Sequence, residues 1–252
     1  MDQERFERIR KEITGTARCR SGIGTLKEKT VHALLKDYYA PDKEMQEIRV
    51  EGYVADIFTG SEIIEIQTAG FDKMRDKLER FLPEYPVTIV YPIPEIKWIS
   101  WIDEQTGECS PPRKSPVRGT VYHAFYELYK IKPYLADPNL RLCFPFLNME
   151  EYRLLNGWSR DRKRGSARYD RIPVALTREI RLESAADYRK LIPEGLSEPF
   201  TSAEFAGAVK IHKKDGGRVL HIMNYLGVVC RCGKRGRSYA YRVQNQKEEQ
   251  ER

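Results

Sequence analysis

The chain has 252 residues, enough for one large domain or two ordinary ones, with 40% hydrophobic and 32% charged residues and a formal charge of +7. No stretch approaches the roughly 18 consecutive apolar residues of a membrane span, and the start, Met1-Asp2-Gln3-Glu4-Arg5, lacks the apolar core of a secretory signal. The composition therefore points to a cytoplasmic protein with no membrane partner, and five scattered cysteines, an odd number, exclude a disulfide framework.

Residues 1–11 read as a short charged helix with Phe6 and Ile9 as its apolar contacts, and 15–24 as a loop punctuated by Gly22 and Gly24. Leu26, Val31, Leu34, Leu35 and Tyr38 recur at helical spacing and predict a helix over 26–39, stopped by Pro41. Residues 49–58 and 62–68 are rich in β-branched and aromatic side chains. They predict two strands of an antiparallel hairpin around Thr59-Gly60-Ser61. Phe71, Met74, Leu78 and Phe81 share one face of a helix over 71–82, and 87–91 reads as a buried strand. Such a strand–helix–strand unit sets its strands parallel with a right-handed crossover.

Further on, 98–102 and 140–146 read as strands, 120–129 as a helix and the proline-rich 111–116 as a loop. Around 157–171 the chain is basic, contains glycine and lacks periodicity, which predicts a linker. The expected division is a first domain over 1–150, a basic linker over 151–175 and a second domain over 176–252, with a polar tail from Gln244. Helical signals fall at 185–191, 202–209 and 215–226, followed by strands at 228–232 and 238–243 around Gly233-Lys234-Arg235-Gly236.

Three short helices ending in a basic hairpin are the layout of a winged helix, whose third helix enters the major groove while the hairpin touches the backbone. The candidate contacts are His221 and Asn224 on that helix and Arg231, Lys234, Arg235 and Arg237 on the hairpin. A plain hairpin with a solvated basic turn would read the same way. The cations are unevenly spread: Arg153, Arg160, Arg162, Lys163, Arg164, Arg168, Arg171, Arg178 and Arg181 crowd one stretch, with Tyr169, Tyr239 and Tyr241 interleaved among the basic clusters. Clustered arginines suit a phosphate backbone, so Arg162, Lys163 and Arg164 join the candidate nucleic-acid-binding residues. Cys230 and Cys232 lie close together, but His212 and His221 have no finger spacing to them. The pair reads as two strand residues rather than zinc ligands.

Three carboxylates carry the chemistry. Asp56 stands near the end of the first hairpin strand, and Glu65 lies in the second, flanked by Ile63, Ile64 and Ile66. A carboxylate in an apolar strand is costly unless it is paired or bound to a cation. Glu65 and Gln67 are two apart and point to one face, and Glu28 sits in the preceding helix. Glu28 shares a stripe at four-residue steps with His32 and Lys36. Each residue also has a plainer role: Thr25-x-x-Glu28 is a capping box, His32 can be a packed helix residue, and Asp56 can cap a turn.

The order resembles the PD-(D/E)XK nuclease superfamily over 22–91, at its widest to 146. The matching pieces are Glu28 in Thr25-Leu26-Lys27-Glu28-Lys29, Asp56 in Val54-Ala55-Asp56, and Glu65 in Ile64-Glu65-Ile66-Gln67. The resemblance implies an α/β fold, a restriction-endonuclease-like mixed sheet flanked by helices, here with a C-terminal winged-helix-like α+β domain. It implies Mg²⁺ or Mn²⁺ held by Asp56 and Glu65, with Glu28 in support, hydrolysing phosphodiesters in DNA. Enzymes of this type often act as homodimers; a third reading of the chain is an RNA-processing accessory protein, with RNA rather than DNA as its partner.

The motif lysine is replaced by Gln67, which cannot supply positive charge; Lys73 and Lys77 on the crossover helix are the substitutes, with Lys36 behind them. His32 would carry a proton or touch a phosphate. The runner-up is an inactive nuclease-like core kept as a DNA-binding or regulatory protein.

Overall fold

The computed structural model describes residues 2–20, 30–156 and 165–244, the side chains of 16–20 excepted. Helix α1, Gln3–Arg20, runs beyond the helix expected over 1–11 and into the first part of the loop expected at 15–24, whose remainder lies outside the described residues. Helix α2, Thr30–Tyr39, buries Val31, Leu34, Leu35 and Tyr38, the positions its periodicity singles out. The two helices meet through an edge-to-face contact between Phe6 and Tyr38, with ring centroids 5.9 Å apart.

The single strand expected over 49–58 is a hairpin of β1, Gln46–Val50, and β2, Tyr53–Phe58. Its two central residues, Glu51 and Gly52, both have positive φ, 47° and 81°. That is the backbone of a two-residue turn whose twist matches the flanking strands. Glutamate at the first position hid the turn from a reading that looks for Asn-Gly or Asp-Gly. Strand β3, Ile63–Ile66, continues the meander antiparallel to β2.

A 3-10 turn over Phe71–Met74 leads into α3, Arg75–Phe81, where Phe71, Met74, Leu78 and Phe81 are buried as their spacing predicts. There follow β4, Val87–Val90, β5, Ile93–Ile102, and the two-residue β6, Arg113–Lys114. Helix α4, Phe125–Leu128, stands between 3-10 turns at Val121–Ala124 and Tyr129–Tyr134. The long strands β7, Leu140–Leu154, and β8, Ala167–Leu182, come next.

These strands form a mixed sheet flanked by helices. It has eight strands in the order β1-β2-β3-β4-β7-β5-β6, with β8 paired to β7 off that path. Within it β5 runs parallel to β7, from Ile93 beside Phe146 to Ile102 beside Leu154.

Strands β7 and β8 occupy much of the stretch expected as a linker. The alternation Ile172, Val174, Leu176, then Ile180 and Leu182, is a strand signal. It is masked by Pro173 and by the arginines between. A proline is tolerated in β8 because its neighbour lies on one side only.

The last segment comprises α5, Ala185–Arg189, β9, Phe200–Thr201, α6, Ser202–Ala208, α7, Lys213–Tyr225, β10, Val229–Arg235, and β11, Ser238–Val243. Its sheet has three strands in the order β10-β11-β9. Phe200, Phe205, Val219, Leu220, Ile222 and Met223 are buried beneath it. Thr201 and Glu204 cap α6 reciprocally, and the His212 ring accepts the Lys214 amide at the start of α7.

The chain divides into two compact units that do not follow the expected boundary. The first takes Met1–Thr68, Val90–Thr120 and Phe144–Ile180; the second takes Ala69–Ile89, Val121–Cys143 and Arg181–Arg252.

Candidate functional site

In the first unit the antiparallel register pairs Ile57 with Ile64 and Phe58 with Ile63. One step further sets Asp56 opposite Glu65, so their side chains share a face. Side chains replace part of the backbone ladder there. The Asp56 amide donates to Glu65 Oε1 at 3.3 Å, and the Ile66 amide donates to Asp56 Oδ2 at 2.8 Å. Glu65 is 0% exposed. Burial of a carboxylate is tolerable only with such donors or a cation nearby.

Helix α2 lies over this row because β8 ties it down at both ends. Thr30 Oγ1 donates to Asp170, and Tyr39 OH donates to Glu179 Oε2 at 2.6 Å. The helix presents His32 and Lys36, one turn apart, on the same side. His32 Nε2 is 3.3 Å from Asp56 Oδ2, and Lys36 Nζ donates to Glu47 Oε1 at 2.7 Å.

Glu47 had no signal in the sequence beyond its register. The β1–β2 pairing of Gln46 with Ile57 and Ile48 with Ala55 sets it across from Asp56. Its φ is 55°, a left-handed conformation that is rare for a non-glycine residue within a strand. The structure thus brings Glu47, Asp56 and Glu65 into one row under His32 and Lys36.

The other predicted residues fall elsewhere. Glu28 lies outside the described residues. Gln67, two residues after Glu65, is half-buried, and its backbone N–H donates to the Val90 carbonyl at 2.9 Å. Lys73 is exposed and Lys77 half-buried, and both belong to the second unit. Among the described residues no group of three or more His, Cys, Asp or Glu side chains is arranged to hold a metal ion. Asp56 and Glu65 supply hard oxygen donors of the kind Mg²⁺ prefers.

Of the predicted nucleic-acid contacts, Arg162, Lys163 and Arg164 also lie outside the described residues. In the second unit, α7 turns the stripe Arg218, His221 and Tyr225 towards residues 126–133. The Arg218 guanidinium stands 4.9 Å from the Tyr126 ring centre, the His221 ring 5.4 Å from that of Tyr129, and Tyr225 OH donates to the Pro133 carbonyl at 3.4 Å. Burial, together with the cations of Lys132 and Arg231, lowers the pKa of His221. His221 is therefore engaged inside its own unit, and Asn224 beside it is half-buried. On the hairpin, Arg231, Lys234 and Arg237 are exposed, while Arg235 pairs with Glu204 at 2.6 Å. Arg231 and Lys234 both lie over the exposed Tyr239 ring, at 4.1 and 5.5 Å from its centre.

No helix among the described residues is long and apolar enough to cross a membrane. No solved structure matches the chain. It is similar to an uncharacterized protein of Treponema pallidum (strain Nichols), 26% identical over 181 residues, which are 71% of this chain and 68% of the relative. A family model described as a domain of unknown function (DUF8091) matches residues 29–183, a span that holds the whole carboxylate row, His32, Lys36 and β8. That match takes in more than half of the sequence, and the chain belongs to the DUF8091 family.

Proposed function

We propose that this protein is a metal-dependent nuclease with a PD-(D/E)XK-type core that hydrolyses phosphodiesters in DNA. The observation that carries the reading is the facing pair Asp56 and Glu65 on β2 and β3, with His32 of α2 at 3.3 Å from Asp56. The element order α2-β1-β2-β3-α3-β4, with strands in the order β1-β2-β3-β4, supports it.

Asp56 and Glu65 would hold Mg²⁺ or Mn²⁺, whose charge would polarise the phosphate and lower the pKa of the attacking water. His32 accepts a proton from that water. The water oxygen bonds to phosphorus as the bond to the leaving sugar oxygen breaks. Lys36, on the same helix, supplies the positive charge that Gln67 cannot.

The second unit supports delivery to DNA. Its order α5-β9-α6-α7-β10-β11 and its sheet order β10-β11-β9 are compatible with a winged-helix layout and support that reading. The exposed Arg231, Lys234, Arg237 and Tyr239 suit contact with the phosphate backbone. Because α7 keeps His221 engaged within the unit, the hairpin rather than the helix carries this contact.

A second reading is favoured by Gln67 and by the backbone amides that already occupy Asp56 and Glu65: a core without activity, kept to bind DNA. Cleavage of plasmid, linear and single-stranded DNA and of structured RNA, with Mg²⁺ and Mn²⁺, separates the two when wild type is compared with Glu65→Gln. Metal-dependent cutting that disappears in the variant supports the nuclease, and the substrate cut names the polymer. DNA binding without cutting supports the second reading and sinks the first.

A further inference from the structure

A second charged cluster in the first unit is built on β7 and β8. Glu151 of β7 is 1% exposed and receives three cations. Arg153 donates twice to its Oε1, at 2.8 and 2.6 Å; Lys97 Nζ is 3.5 Å and Arg168 Nε 3.9 Å from its Oε2. Burial alone would raise the Glu151 pKa, but these cations hold it below the usual carboxylate range. One carboxylate thus faces three positive side chains, and a fourth, Arg171, stands close by on β8.

Arg171 is the unusual member. Its backbone amide donates to Asp170 Oδ1 at 2.7 Å. Its guanidinium makes no hydrogen bond or ion pair with any described residue. Desolvation and the neighbouring Arg168 cation lower its pKa, with only partial relief from Glu151, Tyr91 and Asp170. Asp170 is already committed to Thr30 and to the Arg171 amide. A half-buried guanidinium beside a second cation, with no acceptor among the described residues, favours an anion that completes it.

Beside it is a cavity of about 120 Å³, lined by Val31, Arg168, Tyr169, Asp170 and Arg171. That is below the roughly 300 Å³ at which pockets for drug-sized ligands begin. It suits a single tetrahedral oxyanion and excludes a nucleoside.

We infer that this cavity is a phosphate site, with the guanidinium groups of Arg168 and Arg171 donating to the phosphate oxygens. A small recess takes the terminal phosphate of a strand or a free phosphate, because an internal phosphodiester carries a nucleoside on each side. Planar guanidinium groups are well matched to phosphate oxygens. The site does not depend on the nuclease reading, since it binds whether or not the carboxylate row cleaves.

The test is binding of inorganic phosphate to the full chain, followed by calorimetry and by thermal shift at constant ionic strength with chloride as the control. Phosphate should bind and raise the melting temperature, and Arg171→Met should weaken binding by roughly tenfold or more, the scale of a lost charge-assisted hydrogen bond. Arg168→Gln, on a half-exposed side chain, provides a second variant should Arg171→Met fail to fold, and it should weaken binding in the same direction. No phosphate binding by the wild type, or equal binding by the folded variants, overturns the assignment. A comparison of 5′-phosphorylated and 5′-hydroxyl oligonucleotides then names the source. Tighter binding of the phosphorylated strand assigns the site to a nucleic-acid end; equal binding, with free phosphate still retained, assigns it to a small phosphate compound.

Discussion

Lys36 and Glu47 form an ion pair at 2.7 Å whose two halves lie in different surroundings: the lysine side chain is 7% exposed and the glutamate 65%. The lysine therefore projects from the interior towards the rim of the carboxylate row, one helical turn from His32. On the proposed reading it replaces the motif lysine. Lys36→Met should lower kcat on DNA by about 10² to 10³, the usual cost of removing one preorganised donor to developing charge. KM should change little. Lys73→Met and Lys77→Met should leave kcat within about twofold. Single-turnover cleavage at saturating metal checks this, and an undiminished Lys36→Met rate removes Lys36 from the chemistry.

Two adjacent glycines in α7 should respond to alanine with opposite signs. A Cβ on Gly216 would meet Ala206 Cβ and the Ser202 carbonyl, each at 2.8 Å, where α7 crosses α6; a Cβ on Gly217 would meet nothing within 4 Å. Alanine in a helix interior gains about 0.5–1 kcal/mol over glycine. Overpacking costs about 1–3 kcal/mol. Gly217→Ala should therefore stabilise and Gly216→Ala destabilise by about 1 kcal/mol or more. Urea denaturation of both variants decides it.

Asp187 ties down the start of α5, where its Oδ2 accepts from Ser184 N at 3.1 Å and from Glu183 N at 3.0 Å. Lys190, then the Glu183 amide and the Ser184 hydroxyl, lower its pKa to about 2. A carboxylate whose folded pKa lies below its unfolded value stabilises at pH above the unfolded value, near 4. That contribution is lost as pH falls through about 2. Asp187→Ala should cost about 1 kcal/mol at neutral pH, the usual worth of a cap. The gap between variant and wild type should shrink between about pH 4 and pH 2. Chemical denaturation across that range reads it; a gap that stays constant would show that the charge plays no part.

What could be read from the sequence was local. The helices α2, α3, α6 and α7 and the β2–β3 hairpin follow from periodicity, and Glu65 stands out because a carboxylate inside an apolar strand needs a reason. The misses share a physical cause. The turn at Glu51-Gly52 and the long strand β8 were obscured by residues that locally argue otherwise, a glutamate in a glycine-type turn and a proline among arginines. Glu47 joins Asp56 only through strand register, and Arg168 and Arg171 share a cavity with Val31 only once α2 and β8 are packed together. Neither relationship exists until distant segments meet.

The two units interleave: the chain passes from one to the other after Thr68, Ile89, Thr120, Cys143 and Ile180. Neither can be excised as one continuous piece of gene. A recombination event that transferred residues 181–252 would carry the last segment of the second unit without 69–89 and 121–143. Exchange of either unit as one continuous module is closed to this architecture. Change in either unit has to arise by substitution within the chain, and the two units are inherited together.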